Sequence, residues 1–141
     1  MQNYFQKNNK NADALFCEIE LACEGLVYIS ETDAPVLAFS GPAANGPTGE
    51  IILQQTGGKA DAPIDEVEFD AFFGRLTEIK DWFGETEKTR AKKFLDLQRL
   101  LEENLRQRKV FRIGRIQLDI FAVGIDDDGR LMGVTTRAVE T

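Results

Sequence analysis

The chain has 141 residues and a formal net charge of −7, and 43% of its residues are hydrophobic. This length and apolar content allow a folded core without metal ions or disulfide bonds. The acidic balance disfavours direct nucleic-acid binding, which needs Lys and Arg to neutralise phosphates, and suits either solubility alone or a basic partner. The sequence contains no histidine, which excludes Ser-His-Asp catalysis, Cys-His catalysis and histidine metal sites.

The two cysteines, Cys17 and Cys23, lie in one predicted helix. They would stand about 9 Å apart along its axis, so a disulfide bond would require the helix to break, and we expect free thiols. No N-terminal segment combines basic residues with an apolar core as a signal peptide does. No apolar run approaches the roughly 20 residues of a membrane span. We therefore expect a soluble, cytoplasmic protein that does not associate with membranes.

The N-terminal part of the sequence predicts a flexible segment and then a helix. Residues 1–10 are polar and rich in Asn and Gln, so we expect them to be flexible. One domain is predicted over residues 11–141. Apolar residues recur at helical spacing from Leu15 onward, which predicts a helix over 11–25. Residues 27–29 follow as a short extended or helical piece.

Two short strands and two loops come next. The runs PVLAFS at 35–40 and EIILQQ at 50–55 have the length and composition of strands. Between them, residues 41–49 hold three Gly and two Pro, which predicts a loop. That loop lacks the Gly-Lys-Ser/Thr ending of a phosphate-binding loop, so we interpret it as a surface turn. Residues 56–63 are predicted to form a second loop.

Two helices occupy the middle of the chain. The first is predicted over 65–76, where several Phe residues supply an apolar face. Residues 77–84 form a connection that carries Asp81-Trp82-Phe83. The second helix is predicted over 86–107, because apolar residues recur from Phe94 at three-four-four spacing.

The C-terminal third predicts a meander of three strands, over 109–113, 116–125 and 130–139. The turn Asp126-Asp127-Asp128-Gly129 suits a hairpin, because Asp and Gly tolerate positive φ. The order is therefore helix, two strands, two helices and three strands. This order predicts an α/β (α+β) fold with a mainly antiparallel sheet covered by helices on one or both faces.

Three charged clusters have ordinary structural explanations. The Asp residues at 126–128 lack the spacing of an EF-hand calcium loop. A basic cluster near the end of the last predicted helix complements the helix dipole, and no aromatic residues alternate with it as in nucleic-acid sites. Four acidic residues could supply a paired-carboxylate hydrolase site, although helical Glu residues are usually solvated. The basic cluster is Arg106, Arg108, Lys109, Arg112 and Arg115, and the acidic residues are Glu18, Glu20, Glu24 and Glu31.

Several segments together resemble one protein family. They are GLVYISE at 25–31, EIILQQTG at 50–57, DAP at 61–63, Phe72-Phe73 with Arg75, DWF at 81–83, the meander positions Arg112, Gly114, Leu118, Asp119, Gly124, Gly129 and Gly133, and the closing VET at 139–141. On these residues the chain resembles the nuclease A inhibitor family, the inhibitors of sugar-non-specific DNA/RNA nucleases. The resemblance covers roughly residues 12–141.

The resemblance implies an α-β-α sandwich whose polar loops and C-terminus enter the cleft of a metal-dependent nuclease. The family's inhibitory glutamate falls on Glu31, and its acidic-aromatic pair falls on Asp81 and Trp82. Its terminal threonine falls on Thr141, which in the family approaches the catalytic metal of the nuclease. The resemblance implies neither a cofactor nor a metal site of the protein's own, and no catalytic residues.

These residue types suit such a contact, but each also has a simpler explanation. A carboxylate can replace a phosphate oxygen on Mg²⁺, and Trp is a common interface anchor. Without the family, Trp82 would be expected in the core and Glu31 in a solvated turn. At Thr141, a terminal carboxylate and a hydroxyl lie on one residue, where they could hold one metal ion together. A frayed tail is the alternative.

Three functions follow from this reading of the sequence. The first is a stoichiometric nuclease inhibitor, which would protect its host as an immunity protein does. The second is an interaction module of the same fold with a non-nuclease target, and the third is a carboxylate-dependent enzyme. The sequence departs from the family in the shortened, Gly/Pro-rich segment 33–49 and in the more acidic turn at 126–130. These loops bear on which nuclease is bound.

Overall fold

The computed structural model describes residues 12–43, 46–56 and 62–141. The helices in this part of the chain are α1 Ala12–Cys23, α2 Gly49–Thr56, α3 Phe69–Thr77 and α4 Glu85–Asn104. The strands are β1 Val27–Ile29, β2 Asp33–Pro35, β3 Leu37–Ala43, β4 Ile64–Val67, β5 Arg106–Gly114, β6 Gln117–Ile125 and β7 Arg130–Val139. The predicted flexible segment 1–10 and most of the predicted loop 56–63 lie outside the described residues.

Five strands form one antiparallel sheet in the order β3-β7-β6-β5-β4, and β1 pairs with β2 in a separate hairpin. The meander β5-β6-β7 confirms the three predicted C-terminal strands. Its β6–β7 turn is the predicted hairpin: the Asp126 amide donates to the Arg130 carbonyl at 3.0 Å, and Gly129 adopts a φ of +80°. The long strands of the meander form the centre of the molecule.

Helices cover both faces of this sheet, and the alternation along β6 shows why. Leu118, Ile120 and Ala122 point to one face, where α1, α3 and α4 bury their apolar sides. Phe121, Val123 and Ile125 point to the other, where α2 contributes two buried side chains, Ile52 and Leu53. Because both faces of the sheet are apolar, each needs a helical cover, and the predicted α-β-α sandwich is confirmed.

The predicted strand at 50–55 is wrong, since these residues form helix α2. An apolar run of six residues fits either a strand or one face of a short helix. The hydroxyl of Thr48 accepts the Ile51 amide at 3.2 Å, which caps a helix start. In the helix, Ile52 is fully buried (0% exposed) against the sheet. The predicted loop 41–49 is correspondingly shorter, because β3 continues to Ala43.

The helix predicted over 65–76 begins later than expected. Residues 64–67 form the edge strand β4, whose backbone pairs with residues 110–113 of β5, and α3 starts at Phe69. The last helix was predicted to reach Gln107 but ends at Asn104, since β5 already begins at Arg106. In both places, residues whose sequence periodicity predicts a helix instead pair with a neighbouring strand.

Two glycines on different elements give opposite expectations for substitution by alanine. At Gly133 in β7, a Cβ atom would overlap the Ala122 carbonyl oxygen and lie 2.8 Å from the Val123 Cα, both backbone atoms of β6. We expect Gly133→Ala to lower the free energy of unfolding by about 2 kcal/mol, as overpacking does.

Gly74 in α3 has nothing within 4 Å of such a Cβ. Urea unfolding should show Gly74→Ala unchanged or more stable by up to about 1 kcal/mol.

Candidate functional site

The turn between β1 and β2 holds Glu31 at the surface. In this turn the Ser30 amide and hydroxyl both donate to the Thr32 carbonyl, at 3.1 and 2.9 Å. The register places Ile29 opposite Asp33, so the loop contains only three residues. A loop this short fixes the direction of its central residue, and the side chain of Glu31 is exposed.

The same turn is bound to the end of β7. The Glu31 amide donates to the Val139 carbonyl at 3.3 Å, and the Val139 amide donates to the Ser30 hydroxyl at 3.1 Å. Further back, the Thr136 hydroxyl donates to the Pro35 carbonyl at 2.9 Å. The β1–β2 hairpin therefore lies along β7, although their residues are more than 100 positions apart in sequence.

Glu31 and Thr141 are in direct contact. The Thr141 amide donates to Glu31 Oε2 at 2.6 Å, and the Thr141 hydroxyl lies 3.0 Å from both carboxylate oxygens. Both residues are exposed. We call Glu31 and Thr141 together the hairpin–terminus site. It places two of the residues predicted as contacts side by side, and the C-terminal residue is bound rather than frayed.

The hairpin–terminus site is rich in oxygen donors. A hydroxyl has one proton to donate and two lone pairs, so the Thr141 oxygen keeps lone pairs after it has donated to Glu31. Among the described residues, no Lys or Arg forms an ion pair with Glu31. Carboxylate and hydroxyl oxygens without a cationic partner in the protein are suited to a cation or an N–H donor of another molecule.

Glu140 lies in the sequence between Val139, the last residue of β7, and Thr141. Its contacts differ from those of Thr141. Its amide donates to the Ile116 carbonyl at 2.9 Å, and its carboxylate forms an ion pair with Arg112 of β5. The pair lies at a cavity of about 190 Å³ lined by Tyr28, Val67, Phe72, Arg75, Leu76, Arg112 and Glu140. From the sequence, Arg112 belongs to a basic cluster, and its ion pair with Glu140 was not predicted. The signal in the sequence was an arginine between two apolar residues, Phe111 and Ile113.

Tyr28 connects the hairpin to this cavity. Its ring stacks on Phe72 of α3, with centroids 5.9 Å apart and planes 8° from parallel. Burial raises the pKa of Tyr28 above its ordinary value; Arg112 and Arg75 lower that pKa and Glu140 raises it. The tyrosine ionisation therefore responds to both members of the ion pair.

Asp81 and Trp82 lie in the connection between α3 and α4. The Phe83 amide donates to the Lys80 carbonyl at 3.0 Å, which makes this connection a turn. Trp82 is 71% exposed, and its ring packs against Phe83 in a T-shaped arrangement, with centroids 4.8 Å apart and planes at 81°. The core location expected for Trp82 without the family is wrong. Among the described residues, no hydrogen bond or ion pair joins Asp81 or Trp82 to the hairpin–terminus site.

The remaining candidates have structural roles. Asp126 Oδ1 accepts the amides of Asp128 and Arg130, each at 2.9 Å, and so stabilises the β6–β7 turn.

Cys17 is exposed and Cys23 is buried, and both are free thiols as predicted. Burial raises the pKa of Cys23 to about 12, which makes it unreactive at neutral pH. Within the described ranges, no three His, Cys, Asp or Glu residues are grouped as metal ligands. No helix there is long and apolar enough to cross a membrane.

The chain matches a known protein family over nearly its whole length. A family described as nuclease A inhibitor-like protein matches residues 13–141, nearly the whole chain. The chain belongs to the nuclease A inhibitor-like family. No curated protein matches it. Membership of this inhibitor family agrees with the resemblance found in the sequence, and with the α+β fold.

Proposed function

We propose that this protein is a stoichiometric inhibitor that binds a metal-dependent, sugar-non-specific endonuclease and blocks its active site. The family supports a nuclease as the partner. The observation that carries the proposed site is the contact between Glu31 and Thr141, in which the Thr141 amide and the Thr141 hydroxyl both donate to the Glu31 carboxylate. The protein itself performs no catalysis in this proposal.

The chemistry of the site supports a contact with the nuclease's metal ion. Mg²⁺ in a nuclease binds phosphate oxygens of the substrate, and carboxylate or hydroxyl oxygens are equivalent hard ligands. Thr141 offers a terminal carboxylate and a hydroxyl whose proton is donated to Glu31. A hydroxyl that donates its proton in this way directs its lone pairs outward, where a metal or an arginine of the nuclease can reach them.

The charge of the chain supports the encounter. A net charge of −7 attracts a cleft that is basic because it holds nucleic acid. The exposed Asp81 and Trp82 form a second point of contact, with Trp82 as an apolar anchor and Asp81 as a partner for Arg or Lys. Two separate contact points define the orientation of the inhibitor on the nuclease.

A titration tests the proposal. With a metal-dependent, sugar-non-specific endonuclease of the same cell, we expect activity to fall linearly and end at one inhibitor per nuclease. The association rate should decrease by about tenfold or more as salt rises from low to physiological values, because charge directs the encounter. Excess Mg²⁺ should not restore activity, since the inhibitor occupies the site without removing the metal.

Three results would contradict this proposal. Full recovery in millimolar Mg²⁺ would indicate chelation, and turnover of any substrate by the protein would indicate an enzyme. If the nuclease stayed fully active at a large excess of inhibitor, the partner would be a different protein bound through the same fold.

A further inference from the structure

We infer that Arg112 and Glu140 form a positioning pair that holds the chain end so that Thr141 stays bound to Glu31. The use of this arrangement for inhibition rests on the proposed function. The arrangement itself does not, and it can be tested on the free protein. Neither residue is expected to touch the nuclease metal, so both act through Thr141.

The contacts of the last three residues carry the inference. Val139 is bound to the β1–β2 turn through Ser30 and Glu31, whereas the Glu140 amide binds the Ile116 carbonyl next to β6. The Thr141 amide and hydroxyl return to Glu31. The chain end therefore lies between two elements and has polar partners on both sides.

Arg112 is the part of this arrangement that cannot easily move. It lies within β5, with its Cα opposite Asp65 of β4 and Ile120 of β6, so both neighbouring strands fix its backbone. Its side chain is 25% exposed, whereas that of Glu140 is 48% exposed. A partly buried arginine on an interior strand is held in place by both neighbouring strands, and Glu140 at the chain end is the partner that it orders.

Charge explains why the chain end needs this pair. Glu140 is acidic and directly precedes Thr141, whose amide and hydroxyl bind the acidic Glu31. Without a cation for Glu140, the two carboxylates would repel and the tail would move away from Glu31. Arg112 offsets the charge of Glu140 and draws it into the cavity beside Tyr28. The Glu31 carboxylate then remains available to the Thr141 amide and hydroxyl.

The first test measures order at Thr141 in the free protein. In ¹⁵N heteronuclear NOE experiments, we expect the Thr141 amide to be as rigid as the sheet in the unmodified chain. Arg112→Met and Glu140→Gln should each give it the low value of a mobile tail. Arg115→Met is the matched control: Arg115 is an exposed arginine of the adjacent β5–β6 turn and forms no ion pair among the described residues. It should leave Thr141 rigid.

A spectroscopic titration checks that the pair exists in solution. The chain has two tyrosines, so Tyr4→Phe leaves Tyr28 as the only tyrosine whose absorbance changes with pH. Arg112→Met should raise the pKa of Tyr28 and Glu140→Gln should lower it, because these two groups have opposite effects on that pKa. Identical shifts in both variants would contradict an ion pair beside Tyr28.

The second test measures inhibition of a nuclease that the unmodified protein blocks. We expect Arg112→Met and Glu140→Gln to weaken inhibition by about tenfold, and the exchange Arg112→Glu with Glu140→Arg to recover part of the loss. A purely structural effect would lower the melting temperature without such recovery.

A rigid Thr141 in Arg112→Met would overturn the positioning role, and a mobile Thr141 with undiminished inhibition would overturn its importance for the nuclease. Failure of the unmodified protein to inhibit would overturn only the proposed function.

Discussion

Deletion of Thr141 is expected to weaken inhibition about 1,000-fold, or about 4 kcal/mol, the loss of a dominant interface residue. The deletion removes the Thr141 hydroxyl and amide, the two groups that donate to Glu31. A C-terminal tag should have a similar effect, because it converts the terminal carboxylate into an amide. The measurement is an inhibition constant from progress curves at fixed salt.

Folding stability should not follow this loss. Thr141 is exposed and lies beyond β7, which ends at Val139. We expect the melting temperature of the deletion variant to stay within about 1 °C of the original, since exposed positions contribute little to stability. Equal inhibition by tagged and untagged protein would contradict the role of Thr141 and leave Glu31 as the blocking group.

Two conservative variants separate the chemical groups of Thr141. Thr141→Ser keeps both the hydroxyl and the carboxylate, so its inhibition should be close to that of the original chain. Thr141→Val keeps the carboxylate and the hydrogen bond from its backbone amide to Glu31. It loses the hydroxyl that contacts both oxygens of the Glu31 carboxylate. We expect an intermediate loss of about tenfold, in line with one charge-assisted hydrogen bond. A Val variant as weak as the deletion would assign the whole effect to the hydroxyl.

Sequence periodicity predicted the long elements because their patterns extend over many residues. The meander strands have nine or ten residues and α4 has twenty, so a boundary error leaves their type unchanged. The six residues at 50–55 are too few for their apolar pattern to distinguish a strand from a helix. They form a helix whose start is capped by the Thr48 hydroxyl. Likewise, β4 is recognisable only through its pairing with β5, which is a property of the sheet and not of residues 64–67 alone.

The candidate site shows a different limit of sequence reasoning. Glu31 and Thr141 were identified by family resemblance, but their hydrogen bonds join residues 110 positions apart, and no local pattern encodes that distance. The pair Arg112 and Glu140 is hidden for the same reason. For Trp82, core packing and an exposed anchor use the same residue type, so only its exposure in the fold separates them.

Trp82 gives the second large expected effect. Trp82→Ala should weaken the complex by about 3 kcal/mol, because a large aromatic side chain buried at an interface contributes more than most of its neighbours. The residue is 71% exposed and its ring packs against the adjacent Phe83, so the variant should keep its melting temperature. The matched control is Leu21→Ala on α1, which removes another apolar side chain, 69% exposed, and should change neither stability nor inhibition.

The same residue can report on the complex directly, because the chain contains a single tryptophan. Labelling with 5-fluorotryptophan gives one ¹⁹F resonance, expected at the shift of a solvent-exposed ring in the free inhibitor. Addition of one equivalent of nuclease should move this resonance and broaden it, as the ring is buried against the partner. Deletion of Thr141 should raise the nuclease concentration needed for that change and leave the final shift the same, because the two contact points are separate. An unchanged ¹⁹F resonance at full inhibition would place Trp82 outside the interface, and the blockade would then depend on the hairpin–terminus site alone.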